Sequence, residues 1–571
     1  MEKINKFKKL INDLDLDGYL IPKNDEFFSE YTPFYKDNLK FITNFSGSYG
    51  FAIILKKENL LFVDGRYTLQ AKKESGKIFK IFTMPGQYPS DVLKKRRLII
   101  GFDPKIHTEH MLFYFFKKTN CKLIPVKNNL IEQIRPNITK TRSKKFFFLK
   151  KNVTGMTYDI KIKKVTRLLK ESKINLQFIT APENIAWLLN IRGGDSNFSP
   201  IPNSYVLLDS NKTNFFCDLN KLNKKIKYFL KNINIIDINK TVFFLKKIKN
   251  KRIQIDNKSC SLEFKDILKK NNILIETIDP IYLLKSIKNK VEIKNTITSH
   301  IYDGAALTKF LIWVKKNYEK KNITEISAQQ KLLDFRKKNK TFKNLSFPSI
   351  SGAGPNGAII HYKATKKNNR KLKNGDLYLI DSGGQYNFGT TDVTRTISLK
   401  SNNKRIRDIF TRVLKGHIAV SNFKIKNNTT GSKVDNAARK ALKEINLDYP
   451  HGTGHGVGYF LNVHEGPCGI SKGNKTKFLE GMIISNEPGY YENNKFGIRI
   501  ENLIMVKKKN QTTFFDELTL APIDKTLIEK KLLNLNEIKW LNNYHLKVFT
   551  SLKKFMNKEE LNVLKNYCSN I

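Results

Sequence analysis

Four carboxylates in the last third of the chain stand at the end, or along one face, of short apolar strands, and this placement constrains the fold more than any other feature. Asp381 closes Asp376-Leu-Tyr-Leu-Ile-Asp381 just before Ser-Gly-Gly, and Asp392 opens Asp392-Val-Thr-Arg-Thr-Ile397. Strand alternation puts Asp392, Thr394 and Thr396 on one face, so a hairpin closed by residues 383–389 brings Asp381 and Asp392 side by side. Glu487 ends Gly481-Met-Ile-Ile-Ser-Asn-Glu487 before Pro-Gly, and Arg499 and Glu501 share a face of Phe496-Gly-Ile-Arg-Ile-Glu501. Adjacent carboxylates in an apolar setting repel and are driven toward protonation unless a cation neutralises them. Between the two acidic pairs lies His451-Gly-Thr-Gly-His455-Gly-Val-Gly458, whose alternating glycines allow close approach, with His464 nine residues on. Each piece has a plainer reading alone: Asp before Gly is a turn residue, Glu-Pro-Gly a loop, a lone His a structural side chain. Together, four carboxylates and an imidazole form a mostly oxygen ligand set, suited to a pair of hard or borderline divalent ions such as manganese.

The rest of the chain is organised around this region. A length of 571 residues implies several domains. Residues 1–135 mix short strands (18–22, 50–55, 60–64) with helical patterns, as an α/β domain does, and residues 146–286 alternate in the same way. Between them, RPNITKTRSKK at 135–145 suits a linker. The two segments echo each other: Phe41-Ile-Thr-Asn-Phe-Ser-Gly47 is matched by Trp187-Leu-Leu-Asn-Ile-Arg-Gly193, and each is followed by an apolar strand and then a strand ending in Asp64 or Asp218. Two similarly folded domains in tandem are the economical reading. A third segment, 287–512, opens on long helices, with Ile301, Ala305, Leu307, Leu311 and Val314 forming a stripe, and a helix-like tail runs from 513 to 571.

Charge and cysteine usage narrow the partners. The net charge of +53 raises nucleic acid as a ligand, but only 16 of the 104 basic residues are Arg, and the 88 Lys are spread along the whole chain. A phosphate-reading surface concentrates Arg, so no specific nucleic-acid partner is expected. Five scattered cysteines without CxxC spacing read as reduced thiols. No apolar run approaches the roughly 20 residues that span a bilayer, so no membrane partner is expected. The first twenty residues lack a signal-like apolar stretch and carry Asp13, Asp15 and Asp17, so the expected location is the cytoplasm.

The acid and histidine series resembles the dinuclear metallopeptidases of the pita-bread fold, the family of methionine aminopeptidase, prolidase, creatinase and aminopeptidase P. The resemblance implies five metal ligands, Asp381, Asp392, His455, Glu487 and Glu501, with Asp392 and Glu501 bridging two divalent ions per subunit. Manganese is the first expectation, zinc or cobalt the alternatives. It also implies catalytic roles for His361 (in Gly357-Ala-Ile-Ile-His361-Tyr), His464 and Glu487, with Glu487 as general base, and substrate binding by His361, His451 and His464. Phe460-Leu-Asn-Val-His-Glu-Gly-Pro467, Trp540-Leu-Asn-Asn-Tyr-His-Leu546, Asp64-Gly-Arg-Tyr67 and Ile185-Ala-Trp-Leu188 look like the three-domain cytosolic Xaa-Pro aminopeptidases. The implied fold is α/β and α+β multidomain: two similar creatinase-like α/β domains, a pita-bread domain with a curved, mostly antiparallel sheet, and a helical extension. The implied activity is hydrolysis of the N-terminal Xaa-Pro bond of peptides by a metal-bridging hydroxide, in a homodimer built through the catalytic domain and tail. A prolidase, which must hold a dipeptide carboxylate, is the alternative enzyme. A noncatalytic pita-bread binding protein is the alternative of another class, but such relatives lose ligands and here all five are kept.

Overall fold

Apolar runs of four to six residues, rich in Ile, Leu and Phe, build the strands of the first of two compact units, Met1–Tyr282. The computed structural model describes residues 1–136, 144–400 and 402–571, so most of the expected linker, residues 137–143, lies outside the described residues. Strands β1 (Gly18–Pro22), β2 (Gly50–Leu55), β3 (Asn59–Asp64), β4 (Lys80–Met84), β5 (Ile99–Phe102) and β6 (Lys122–Pro125) form a sheet in the order β4-β3-β2-β1-β5-β6. Strands β7 (Leu176–Ile179), β8 (Ser204–Asp209), β9 (Thr213–Cys217), β10 (Asn234–Asp237), β11 (Arg252–Ile255) and β12 (Ile273–Glu276) form a second, in the order β10-β9-β8-β7-β11-β12. The two orders are the same, and so are the directions. In each sheet the first strand runs antiparallel to the second and parallel to the fifth, and the outer pairs are parallel.

The echoed phrases occupy equivalent places. Asn44 caps a helix and Asn190 stands two residues past one, both in the left-handed region, at φ 65° and 54°, a conformation that Asn tolerates better than most residues. Each is held by a lysine from an earlier helix. Lys3 Nζ donates to Phe41 O and to Asn44 Oδ1 (2.9 Å) and lies 5.3 Å from the Phe41 ring. Lys161 Nζ donates to Trp187 O (2.9 Å) and Asn190 Oδ1 (2.7 Å), 4.2 Å from the Trp187 ring. The two domains form one unit and meet through loops, a helix and strand β8: Phe27 stacks on Tyr205 at 5.2 Å, and Leu262 N donates to His107 O.

The second unit, Leu283–Ile571, opens with helix α1 (Lys290–Asn317), started by a capping box in which Asn289 and Glu292 satisfy each other's main-chain N–H groups. Its expected stripe is buried at Ala305, Leu307, Leu311 and Val314, joined by Phe310. Helices α2 (Glu325–Lys337), α3 (Lys404–Ser421) and α4 (Gly431–Lys443) complete the helical part ahead of the tail. Among the described residues every ladder here is antiparallel, in short groups: β13 (Ile350–Ala353), β14 (Leu377–Ser382) and β15 (Val393–Ser398); β16 (Gly454–His455) with 469–470; β17 (Ile483–Asn486) with β20 (Asn502–Lys509) and β21 (Thr512–Glu517); β18 (Gly489–Glu492) with β19 (Phe496–Arg499).

Two expectations change. The tail opens on strand β21, not on helix, and its helices α5 (Leu535–Leu552) and α6 (Lys558–Tyr567) come later. The run from Phe496 to Glu501 is not one strand: β19 ends at Arg499 and β20 begins at Asn502. Their partners explain the break. Asn486↔Asn502 and Gly489↔Arg499 share one register, and the interruption falls at Glu487-Pro488, where proline has no N–H to continue the ladder. The five cysteines are free thiols, and no helix among the described residues is long and apolar enough to cross a membrane.

Candidate metal centre

Two antiparallel hairpins of the second unit are interrupted where they carry acids. In the first, Asp381 pairs with Thr394 and Ser382 with Val393, and the same register resumes at Gln385↔Thr390. Asp392 therefore sits one pair beyond the ladder, on the face it shares with Thr394 and diagonal to Asp381. In the second, Glu487 and Glu501 face each other across the Pro488 break. The hairpins are joined at the acids: Glu501 N donates to Thr394 O (3.2 Å), and Thr394 Oγ1 donates to Glu501 Oε2 (2.8 Å).

His455 arrives on a third segment, laid against β17. Val457 N donates to Ile483 O, His455 N to Ser485 Oγ (2.9 Å), and Glu487 N to Thr453 O. The approach is possible because residue 454 is glycine: a Cβ there would come within 1.9 Å of Ser485 O. His455 Nδ1–H donates to Gly456 O (3.0 Å), which turns Nε2 toward Asp392 Oδ2 (3.5 Å) and Glu487 Oε1 (3.4 Å). A main-chain carbonyl fixing one ring nitrogen so that the other can ligate is the arrangement metal-binding histidines adopt. Ligand atoms of Asp392, His455 and Glu501 lie within 4.8 Å of one another.

The electrostatics of this group call for positive charge. Burial pushes Asp392 up to about 6, and Asp381 and Glu487 add repulsion against the pull of His455. Glu501 is held well above the usual carboxylate range by burial and then by Asp392, Glu487 and Asp381. Burial alone would lower His455, but Asp392 and Glu487 beside it raise the imidazole to about 9. Asp381 Oδ1 is buried without a hydrogen-bond partner among the described residues. Oxygen donors that repel one another, one of them unsatisfied, together with an oriented imidazole, fit divalent cations.

Asp381 joins the group through Arg499. Arg499 Nη2 donates to Asp381 Oδ2 (2.6 Å), Nε to Thr394 Oγ1 (3.0 Å) and Nη1 to Tyr491 Oη (2.6 Å). Tyr491 Oη lies 2.9 Å from His451 Nε2, while His451 Nδ1–H donates to Gly452 O. His451 is thus linked to Asp381 by a chain of hydrogen bonds and is not in the ligand cluster. His464 stands beside the cluster, its ring T-shaped on His455 at 4.4 Å. His361 is half-buried, just after the 3-10 turn Gly354–Ala358 that packs on Gly497 of β19, and the ligand cluster is built without it. Three residues here escaped the sequence reading: Tyr491, Thr394 as a bridge, and Ser485, which donates to Glu487 Oε1 (3.1 Å). Thr394 carried a signal, its shared face with Asp392. The signal for Tyr491 is the register Gly489↔Arg499, which only the paired strands reveal.

Paired α/β domains ahead of antiparallel hairpins that gather acids and an imidazole define a class. The family descriptions agree: metallopeptidase family M24 matches residues 295–508, its C-terminal region 511–571, and creatinase/prolidase N-terminal domains match 3–136 and 135–292. The chain belongs to metallopeptidase family M24, with its creatinase N-terminal domains and pita-bread catalytic fold. Within it, the chain is similar over its whole length to Xaa-Pro aminopeptidase 1 of Dictyostelium discoideum, 37% identical over 99% of this chain and 96% of that protein. Aminopeptidase P2 of Arabidopsis thaliana is 33% identical over 97% of this chain and 86% of its own. The X-prolyl aminopeptidase of Caenorhabditis elegans, described as a cytosolic enzyme with a di-nuclear active site, superposes with a TM-score of 0.95 at 30% identity, covering 100% of this chain and 99% of that one. The Xaa-Pro dipeptidase of Bacillus anthracis, 23% identical with a TM-score of 0.55, shares the fold over only 64% of this chain and 99% of its own.

Proposed function

We propose that the chain is a Xaa-Pro aminopeptidase that removes the first residue of peptides with proline second, acting in the cytoplasm as a homodimer with two divalent ions, manganese, in each subunit. The observation that carries this reading is the convergence of Asp392, His455, Glu487 and Glu501 from two interrupted hairpins and a third segment, with Asp381 tied to them through Arg499. Whole-length similarity to Xaa-Pro aminopeptidases supports it over a prolidase.

Asp381, Asp392, His455, Glu487 and Glu501 would hold the ions, four carboxylates matching the charge of two divalent cations. Such ions supply the Lewis acidity that makes water nucleophilic near neutral pH and polarises a scissile carbonyl. Glu487 is the general base in this reading: its side chain is 18% exposed against 5% for Asp392, open enough to meet a reacting water. His464, against His455, stabilises the developing oxyanion, and His361 or His464 passes a proton to the departing proline nitrogen. That nitrogen belongs to a tertiary amide without N–H, so recognition rests on a pocket for the ring, with His361 and His451 as its walls.

The test is hydrolysis of Arg-Pro-Pro peptides and of an Arg-Pro dipeptide by metal-free protein reconstituted separately with manganese, zinc or cobalt. The proposal expects cleavage of the longer peptides, greatest with manganese, and none by Asp381→Ala. Cleavage of the dipeptide alone would make the enzyme a prolidase, and a fully active Asp381→Ala would remove the metal assignment.

A further inference from the structure

Residues 283–289, which lead into helix α1, carry two lysines withdrawn from water. Lys285 and Lys288 are 2% and 4% exposed, and both ammonium groups face one carboxylate, that of Glu465, itself 4% exposed. Lys285 Nζ lies 2.8 Å from Glu465 Oε2, and Lys288 Nζ lies 3.6 Å from Oε1. Glu465 directly follows His464. Burying three charges costs more desolvation than filling the same space with apolar side chains, so packing alone does not account for them.

What the triad fastens suggests its use. Lys288 Nζ also donates to Val457 O (2.6 Å), two residues after His455. Its main-chain N donates to Gly481 O (3.0 Å), ahead of strand β17, which Glu487 follows. Gly481 has φ +89°, and a Cβ there would meet Lys288 O at 2.6 Å, so the contact requires glycine. The loop is closed on itself by Glu465 N donating to Gly456 O (2.8 Å) and Gly456 N donating to Cys468 O (2.9 Å). A short connector is thereby locked to the loop that bears His455 and His464 and to the approach of Glu487.

We infer that Glu465, gripped by Lys285 and Lys288, is a positioning residue that fixes His464 over the carboxylate cluster. The two residues share a peptide unit, so anchoring one carboxylate sets the backbone from which the imidazole projects. The catalytic consequence rests on the peptidase reading, whereas the fastening does not.

The experiment is a double-mutant cycle in the full-length, manganese-loaded protein. Glu465→Gln is expected to lower kcat ~10- to 100-fold with KM within about threefold, the cost of misplacing a reacting group by about 1 Å. In a His464→Ala background the same substitution is expected to change kcat less than about twofold, because the group it positions is gone. Equal losses in both backgrounds would overturn the inference. Lys285→Met, which leaves one carboxylate opposite one ammonium, carries the same cycle if Glu465→Gln does not fold. Hydrogen exchange supplies a readout independent of turnover: residues 456–468 should exchange faster in either variant while 377–398 do not, and unchanged exchange at 456–468 would overturn the fastening. Faster exchange in a protein whose wild type cleaves no Xaa-Pro-Xaa peptide would remove the peptidase reading and leave the fastening standing.

Discussion

Replacing Arg499 with lysine tests whether the guanidinium fork organises the metal centre. Arg499 is buried and spends all three nitrogens, on Asp381 (2.6 Å), Thr394 (3.0 Å) and Tyr491 (2.6 Å). Lysine keeps the charge but presents one compact ammonium on a flexible stem, which cannot reproduce a planar three-way contact. If it keeps the Asp381 contact, two bonds are lost. Hydrogen bonds to charged groups are worth about 1.5 kcal/mol or more each, so Arg499→Lys should cost about 3 kcal/mol. Felt wholly in the transition state, that is a ~10²-fold fall in kcat. Felt in the ground state, it appears as weaker manganese binding of similar size, because Thr394 no longer holds Glu501 in place. The assay is kcat on an Arg-Pro-Pro peptide together with manganese calorimetry. Both quantities within twofold of wild type would refute the reasoning.

Three further outcomes follow from the same contacts. His455, raised to about 9 in the metal-free site, carries a proton at pH 7. Because its pKa lies above the unfolded value of 6.5, the stability it contributes is fully present below that pH and is lost as pH rises through about 9. A metal needs the neutral imidazole, so binding at pH 7 should release about one proton or more, seen as buffer-dependent calorimetric heats; heats independent of buffer would contradict this. Tyr544, on the tail helix α5, accepts from Arg395 Nη2 (2.8 Å), whose Nη1 donates to Glu501 O (2.7 Å). Tyr544→Phe should therefore lower stability by about 1–3 kcal/mol in thermal or urea unfolding, and an unchanged transition would separate the tail from the centre. The dispersed lysines should adsorb duplex DNA near 20 mM salt and release it near 150 mM, and retention at about 150 mM in a filter-binding assay would point to a dedicated site.

That acids and an imidazole gather here was legible because several of them are announced locally. Asp381 and Glu487 end apolar runs before turn residues, and His455 lies among alternating glycines. The tandem repeat was legible for the same reason, since Asn44 and Asn190 sit in matching phrases. Their lysine partners were not, because Lys3 and Lys161 come from earlier helices and look like any of 88 lysines. Lys285 and Lys288 were hidden in the same background, and only burial distinguishes them. Glu501 was placed on the correct face but within an unbroken strand. The interruption originates in Pro488, a residue of the partner strand, and alternation within one segment carries no information about a neighbour's missing N–H. Tyr491 and Ser485 likewise acquire their roles from register, which strand patterning leaves open.

Anomalous diffraction at the manganese edge from crystals of the metal-loaded protein addresses the ligand assignment most directly. Two peaks per chain are expected, both among the side chains of Asp381, Asp392, His455, Glu487 and Glu501. A single peak, or ions bound away from these five side chains, would contradict the account.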